Sequence, residues 1–462
     1  MSMFRKKSFD QMANSAQGSF KKTLGAFDLI MLGIGAIIGV GIFVITGTVS
    51  AKYAGPAITV SFVLAGMVCI FTALAYAELA SLLPIAGGAY SYSYVVLGEV
   101  FAWMAGCFVI MLNAFGSATV ASGWSSYVTG LLKYAGVELP EAFLTVPAQG
   151  GIANVPAILI TLAICSLLVR GTKESALINT ILVFIKVGAI LIFIIAAIPH
   201  FDPVNWNDFM PNGIDGVILG TGALFLAYSG FDVVASSAEE CKNPGRDLPL
   251  GIIGSVALCA VLYIIVSGLL TGMVPYFELN TAEPMAYALR KNGANFGYAL
   301  VAVGGITGMT TVMLMQIFGL SRVIFSMARD GMLPKIYGKL HKKFNTPYTA
   351  LATIAIVNVI TSGFLPIKTL GNVASMASLA SFVFVGIAVM KMRLEYPDAP
   401  RTFKCPLVFV FASISVIAST YLIYELAKQD GDAFGICVLI GLLIYVVYGY
   451  KNSSLSNTYK SA

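Results

Sequence analysis

Apolar runs long enough to cross a lipid bilayer recur along this 462-residue chain, and they limit its folding more than any other feature. A crossing helix needs roughly 20 apolar residues, because the hydrocarbon core is about 30 Å thick. Twelve such runs can be placed, near 26–50, 55–82, 96–131, 155–171, 176–199, 216–240, 248–275, 297–328, 346–363, 369–391, 404–424 and 432–450. Backbone polar groups in hydrocarbon must be satisfied within their own segment, so each run is expected to be helical. Charged residues make up only 11% of the chain, against about 25% in soluble domains. The predicted fold class is an all-α polytopic membrane protein with 12 transmembrane helices.

Lysine and arginine orient the array. With a cytoplasmic N-terminus, 21 of the 28 basic residues fall in inside loops and tails, and six fall outside. That bias predicts both termini in the cytoplasm of a plasma-membrane protein. The net charge of +6 is thus an orientation signal and points to no nucleic-acid partner. Residues 1–25 and 451–462 read as cytoplasmic tails, and the first lacks the apolar core of a signal peptide. The seven cysteines show no CxxC spacing and read as small apolar residues, so no metal site is expected. Catalytic and nucleotide-binding motifs are absent as well; no catalytic residue or cofactor is expected, and the chain is read as a non-enzyme.

Two runs carry glycine clusters. "GIGAIIGVGIF" (33–43) holds Gly33, Gly35, Gly39 and Gly41, and "GTGALFLAYSGFD" (220–232) holds Gly220, Gly222 and Gly230. Each glycine weakens a helix interior by about 1 kcal/mol relative to alanine. Either cluster alone fits close helix packing equally well. The pair lies five runs apart, which suits a transporter built from repeats that binds its substrate at broken helices. A break frees N–H groups at one half-helix start and carbonyls at the other half-helix end. A zwitterionic α-amino acid is the simplest small molecule that matches both ends.

One charge sits deep inside a run. Lys186 is the eleventh residue of "ALINTILVFIKVGAILIFIIAA" (176–197). Its stem is too short to snorkel from the midplane. Insertion costs roughly 2.5–3.5 kcal/mol, so the ammonium is expected to face the protein interior and a partner. Asp28 suits a helix N-terminus, whereas Glu78 and Glu99 are expected to reach interfacial water.

Four motifs carry a resemblance: "GIGAIIGVGIF" (33–43), "PIAGGAYSYSY" (84–94), "GFDVVASSAEECKNPGRDLPLGI" (230–252) and "SRVIFSMARDGMLPK" (321–335). Over essentially its whole length the chain resembles the amino acid–polyamine–organocation superfamily, close to bacterial relatives of the cationic amino acid transporters. The resemblance implies a leucine-transporter-type fold, with inverted repeats at 26–199 and 216–391 and two further spans at 404–450. It implies that N–H groups of Gly39, Val40 and Gly41 hold a carboxylate, and that carbonyls of Ile37, Leu226, Ala227 and Ser229 hold an amino group. Side chains of Val40, Ser229 and Phe231 would shape the rest of the pocket, with Asn113 or Leu112 and Met315 or Gln316. Gly87 and Gly88 would belong to the inner gate. Glu239 and Glu240 would form either a capped turn or a gating ion pair with Arg246 or Arg329, and Asp232 would brace the second break.

The same resemblance places Lys186 where sodium-coupled relatives bind an ion and proton-coupled ones a lysine. Its expected partners are carbonyls near Gly35 and Ala36, so the proton would be the coupling ion. One departure bears on the substrate: "CFVIMLNAF" (107–115) holds no acid where relatives near the cationic group often carry a glutamate. The expected function is proton-coupled uptake of small or medium neutral L-amino acids by alternating access. The alternatives are an amino acid or amine exchanger, a cationic amino acid importer, and a non-transporting sensor.

Overall fold

The computed structural model describes residues 5–7, 22–85, 87–170, 175–344 and 346–455, with all side chains among them but those of 175–178, 239 and 295–296. The architecture is helical throughout. Among the described residues the one β feature is an isolated bridge between Leu24 and Cys241. Helix α1 (Ala26–Ile37) starts where the Gly25 N–H donates to the Asp28 carboxylate at 3.0 Å, and the negative side chain suits the positive end of the helix. Beyond a break the chain winds through wide turns at Gly41–Ile45, the short α2 (Thr46–Val49) and Ser50–Ala54 into α3 (Ile58–Leu82). Then follow α4 (Ala89–Val96), α5 (Glu99–Tyr134), α6 (Val155–Arg170) and α7 (Ser175–Ala197). A second broken segment comprises α8 (Gly213–Ala223), α9 (Phe225–Tyr228) and α10 (Phe231–Ser236). Then come α11 (Pro244–Met273), α12 (Pro284–Lys291), α13 (Asn295–Arg329), α14 (Tyr348–Phe364), α15 (Ile367–Glu395) and α16 (Val408–Ile444), which runs on through a wide turn at Tyr445–Gly449 into the short α17 (Tyr450–Asn452).

Among the described residues, eight helical segments are long and apolar enough to cross a membrane, and α6 and α14 are shorter apolar helices. The segment Ala26–Leu82 runs 57 residues and Val408–Asn452 runs 45, each well beyond the roughly 20 that one crossing needs. The latter bends at Asp430, whose backbone leaves the helical region. Large apolar side chains such as Leu159, Ile195, Ile417 and Leu443 stand exposed on the outside of the bundle. In water such a surface would need cover, and lipid supplies it. Inside, α11 packs on α3 and α1, while α5 packs on α13 and α15.

Two acidic residues correct the sequence expectation. Glu78 does not reach water; it is fully buried beneath two arginines. Arg393 donates to its carboxylate at 2.6 and 2.7 Å, Arg401 at 3.0 Å and the Cys405 N–H at 2.8 Å. Glu99, also fully buried, accepts from Ser453 at 2.7 Å and Tyr445 at 3.2 Å, with Arg5 3.9 Å away. Both carboxylates lock α3 or α5 to chain that lies hundreds of residues further on, or to the N-terminus.

Removing one partner of a buried ion pair strands the other charge, at a cost of about 3–5 kcal/mol. Glu78→Ala is therefore expected to lower the thermal unfolding midpoint in detergent strongly. Glu425→Ala, which breaks the more exposed pair with Lys428, is expected to cost less than about 1 kcal/mol.

Candidate functional site at two broken helices

Helix α1 stops at Ile37, Ile38 is extended (φ −74°, ψ 105°), and helical turns resume at Val40. The second break falls at Ser229, which is extended, and Gly230, at φ 127°. Both glycine clusters serve two purposes. Gly220 and Gly222 lie inside α8 and pack: a methyl on Gly220 would meet Ser61 Oγ at 3.0 Å, and one on Gly222 would meet Leu426 at 3.2 Å. Gly230 holds a backbone conformation that side chains disfavour.

The two breaks touch. A methyl on Gly41 would stand 2.3 Å from Ala227 Cβ and 2.4 Å from its Cα. A methyl on Gly230 would stand 2.6 Å from the Ala36 carbonyl oxygen. The N–H end of one half-helix and the carbonyl ends of two others are thereby brought together.

The carbonyls freed at the end of α1 are all engaged or covered. Lys186 donates to Gly35 O at 2.7 Å, Ile38 O at 3.0 Å and Thr311 Oγ1 at 3.2 Å. An ammonium has three hydrogens, so this set satisfies it. Lys186 is fully buried, its stem lies along Gly308 of α13, and no ion pair among the described residues involves it. Its charge is held by dipoles alone. Of the two carbonyls between Gly35 O and Ile38 O, Ala36 O lies against Gly230 and Ile37 O lies 3.0 Å from the Tyr263 hydroxyl, which also reaches Ala227 O at 2.9 Å. A hydroxyl has one hydrogen, so Tyr263 shares it between the two breaks.

Of the four carbonyls expected to meet an amino group, Ile37 O and Ala227 O thus face Tyr263, and Leu226 O accepts from Ser229 Oγ at 2.8 Å. Ile37 O and Ala227 O each keep a second lone pair, whereas Leu226 O also meets the Ser229 N–H at 3.3 Å. Val40 lies against Gly123 of α5, and Val312 of α13 lies against Gly39. Phe231 packs edge-on against Tyr76, with centroids 5.4 Å apart, and beside Phe382. The Asn113 amide donates to Val109 O at 2.8 Å, one turn back on its own helix. Gln316 faces Gly116, and its buried Oε1 has no hydrogen-bond partner among the described residues. Met315 packs instead on Ala36 and Val233, and Leu112 is buried in the main core.

The residues assigned to gating gather at the basic end of the bundle. Gly87 and Gly88 take positive φ angles (111° and 51°) in the turn that starts α4. Glu240 pairs with Arg322 at 2.7 Å. Arg322 lies two turns before Arg329 on the same face of α13, and Arg246 opens α11. The Glu239 side chain lies outside the described residues. Asp232 stands in the first turn of α10, where a carboxylate suits the positive end of a helix. Lys7 further bridges to Asp330 at 2.7 Å, and Tyr90 donates to the same carboxylate at 2.7 Å. Tyr263, Thr311, Arg322 and Lys7 were not singled out from sequence. A tyrosine in the apolar run of α11 is a usable signal, because a buried hydroxyl needs a partner.

A family model for amino acid permeases matches residues 24–448. The chain belongs to the amino acid permease family. This permease is 42% identical over 458 residues to a methylthioribose transporter of Bacillus subtilis, covering 98% of this chain and 99% of the relative. It is 41% identical over 462 residues to the branched-chain amino acid permease BcaP of the same organism, at the same coverage. The chloroplastic cationic amino acid transporter 9 of Arabidopsis thaliana is 38% identical over 391 residues, which is 82% of this permease and 67% of the relative. The family is one of transporters rather than enzymes.

The contact between the breaks leaves no room for a methyl group at Gly41. Gly41→Ala is expected to abolish uptake in cells while the protein still reaches the membrane. Tyr263→Phe frees both carbonyls of their shared donor and is expected to weaken substrate binding by about tenfold, the effect of one hydrogen bond. Saturation of uptake measured for both variants checks this.

Proposed function

We propose that this permease carries a small or medium neutral L-amino acid into the cell together with a proton, and that Lys186 is the proton's carrier. The observation behind this reading is the bond set of Lys186: three hydrogens on Gly35 O, Ile38 O and Thr311 Oγ1. Losing one proton leaves two N–H donors for the two carbonyls and a lone pair toward Thr311, whose hydroxyl must turn from Gly308 O to meet it. The bonds from α7 to the broken end of α1 then lose their charge assistance and weaken. Ile37 O, the carbonyl next to Ile38 O in the chain, is tied through Tyr263 to Ala227 O at the second break. Protonation of Lys186 and the geometry of the carbonyl set thus act on the same turn.

In this reading the substrate carboxylate lies on the N–H groups of Gly39, Val40 and Gly41, where the half-helix start carries partial positive charge. Its ammonium lies among the carbonyls of Ile37, Leu226, Ala227 and Ser229, with the second lone pairs of Ile37 O and Ala227 O as its acceptors. Side chains of Val40, Phe231, Asn113 and Gln316 wall the remainder. A neutral side chain is favoured because residues 107–115 supply no carboxylate, and relatives at 41% and 34% identity are named branched-chain amino acid permeases. In this reading the basic end faces the cytoplasm, which the bias of 21 to six basic residues supports. Arg322–Glu240 and Lys7–Asp330 close it, with Gly87, Gly88, Arg246 and Arg329 at the same end. The two inverted repeats expected at 26–199 and 216–391 belong to this reading, as do twelve crossings and a plasma-membrane location.

A second reading comes from the relative named a methylthioribose transporter. A neutral sugar would leave the charged ends of the breaks unused but would suit the unpartnered Gln316 Oε1.

Proteoliposome uptake separates these readings. The panel holds L-leucine, L-alanine, L-arginine and methylthioribose, with and without an inward proton gradient. Wild type is expected to concentrate a neutral amino acid only with the gradient, and Lys186→Ala is expected to lose that concentration at least tenfold. Gradient-driven accumulation that survives Lys186→Ala contradicts the mechanism. Uptake that ignores the gradient but needs internal amino acid identifies an exchanger.

A further inference from the structure

Between α11 and α13 the chain folds back as a lid over the end of the bundle opposite the basic end. It consists of the turn Tyr276–Leu279 and helix α12. Pro284, Met285, Ala286, Ala288 and Leu289 bury its apolar face. A methyl on Gly47 would stand 2.3 Å from Leu279 O and 2.6 Å from Pro284 Cβ. The lid therefore rests directly on the half-helix that begins at the first break.

Glu283 precedes α12 and reaches across to the end of α5. A methyl on Gly130 would stand 2.4 Å from its Oε2 and 2.6 Å from Oε1 and Cδ, so the carboxyl group fills the notch that this glycine leaves. Oε2 is buried, with no hydrogen-bond partner among the described residues. The groups facing it do not neutralise it. Of the titratable groups of α5 beside Gly130, Tyr127 donates its hydroxyl to Phe43 O at 2.7 Å, and Tyr134 packs on the Tyr298 ring with centroids 4.9 Å apart. Lys133 is exposed and forms no ion pair among the described residues. Tyr298 of α13 has a buried hydroxyl that is itself unpartnered among the described residues. Arg290 of the lid lies over the Tyr298 ring, 5.6 Å from its centroid, and makes no ion pair with Glu283. The outer half of α7 (188–197), α2 and the Gly41–Ile45 turn bring no titratable side chain. The lid's other carboxylate, Glu278, accepts from Lys291 and Tyr287, and those bonds hold it below its ordinary range.

We propose that Glu283 is a second protonation site, on the outer lid: its carboxyl is neutral while the lid is seated on Gly130 and ionises when the lid lifts into water. Seating the lid then takes up one proton from the side it faces, which is outside in the orientation proposed above. Burial pushes the seated carboxyl up to about 7, with Arg290 pulling weakly the other way, whereas a lifted one titrates near its ordinary value of about 4.3. The sign follows. Seating is fully favoured below the lifted value and is progressively lost as pH rises through the seated one, by up to tenfold per pH unit in between. An acidic exterior would close the lid over a loaded site. This inference rests on the family and on the orientation proposed above, not on the role of Lys186.

The test is hydrogen–deuterium exchange of peptides covering 276–291, in the full chain in lipid nanodiscs at pH 5 and pH 8, corrected for intrinsic rates. Wild-type lid protection is expected to fall at least tenfold between the two. Glu283→Gln is expected to show the acid level of protection at both. Gly130→Ala, which forces the carboxyl out of its notch, is expected to exchange fast at both and serves if the glutamine variant fails to fold. Lys186→Ala is expected to keep the wild-type lid response whatever happens to its transport. A wild-type lid indifferent to pH overturns the proposal. So does a pH response that persists in Glu283→Gln or disappears in Lys186→Ala.

Discussion

Three hydrogens on one buried ammonium meet three oxygens where a helix runs out, and most of the central architecture depends on that meeting. A helix that stops in the middle of a bundle leaves carbonyls that water would otherwise satisfy. Here Gly35 O and Ile38 O are taken by Lys186, Ile37 O by Tyr263, and Ala36 O lies against Gly230. The ammonium in turn needs exactly such dipoles, since no carboxylate pairs with it among the described residues. The broken helix and the buried lysine each supply what the other lacks. Because Tyr263 spans to Ala227 O, the arrangement at the first break is felt at the second.

Backbone groups form the invariable half of such a site, and side chains supply the rest. In the proposed site, N–H ends would recognise the carboxylate and carbonyl ends the ammonium that all α-amino acids share. Selectivity in that site would then fall to the side chains of Val40, Asn113, Phe231 and Gln316. Relatives at 42% and 41% identity carry the names of chemically different substrates. A branched-chain amino acid would use the charged ends of a backbone cradle, whereas a neutral sugar would have to be held by the side-chain wall alone.

The helical class and the membrane surface were legible because they are written in hydropathy, which is local. The glycine clusters marked where helices would fail, but not at which residue. Gly220 and Gly222 look like Gly230 in sequence, yet α8 uses them for close packing and only Gly230 takes a positive φ. Charges were harder to read, because their partners come from far along the chain. Glu78 looked interfacial and is buried, since Arg393 and Arg401 fold back over it from more than 300 residues away. Glu240 meets Arg322 through the phase of α13, which a loop sequence does not reveal. Tyr263 sits in a smooth apolar run, and its role appears only once the two breaks are brought together.

The measurement that bears most directly on Lys186 is substrate affinity as a function of pH, for purified wild type and Lys186→Met, using the amino acid that saturates uptake. A proton carried by Lys186 predicts an affinity that varies with pH in wild type and is flat in the variant. An unchanged pH dependence in Lys186→Met would show that the proton, if one moves, binds elsewhere.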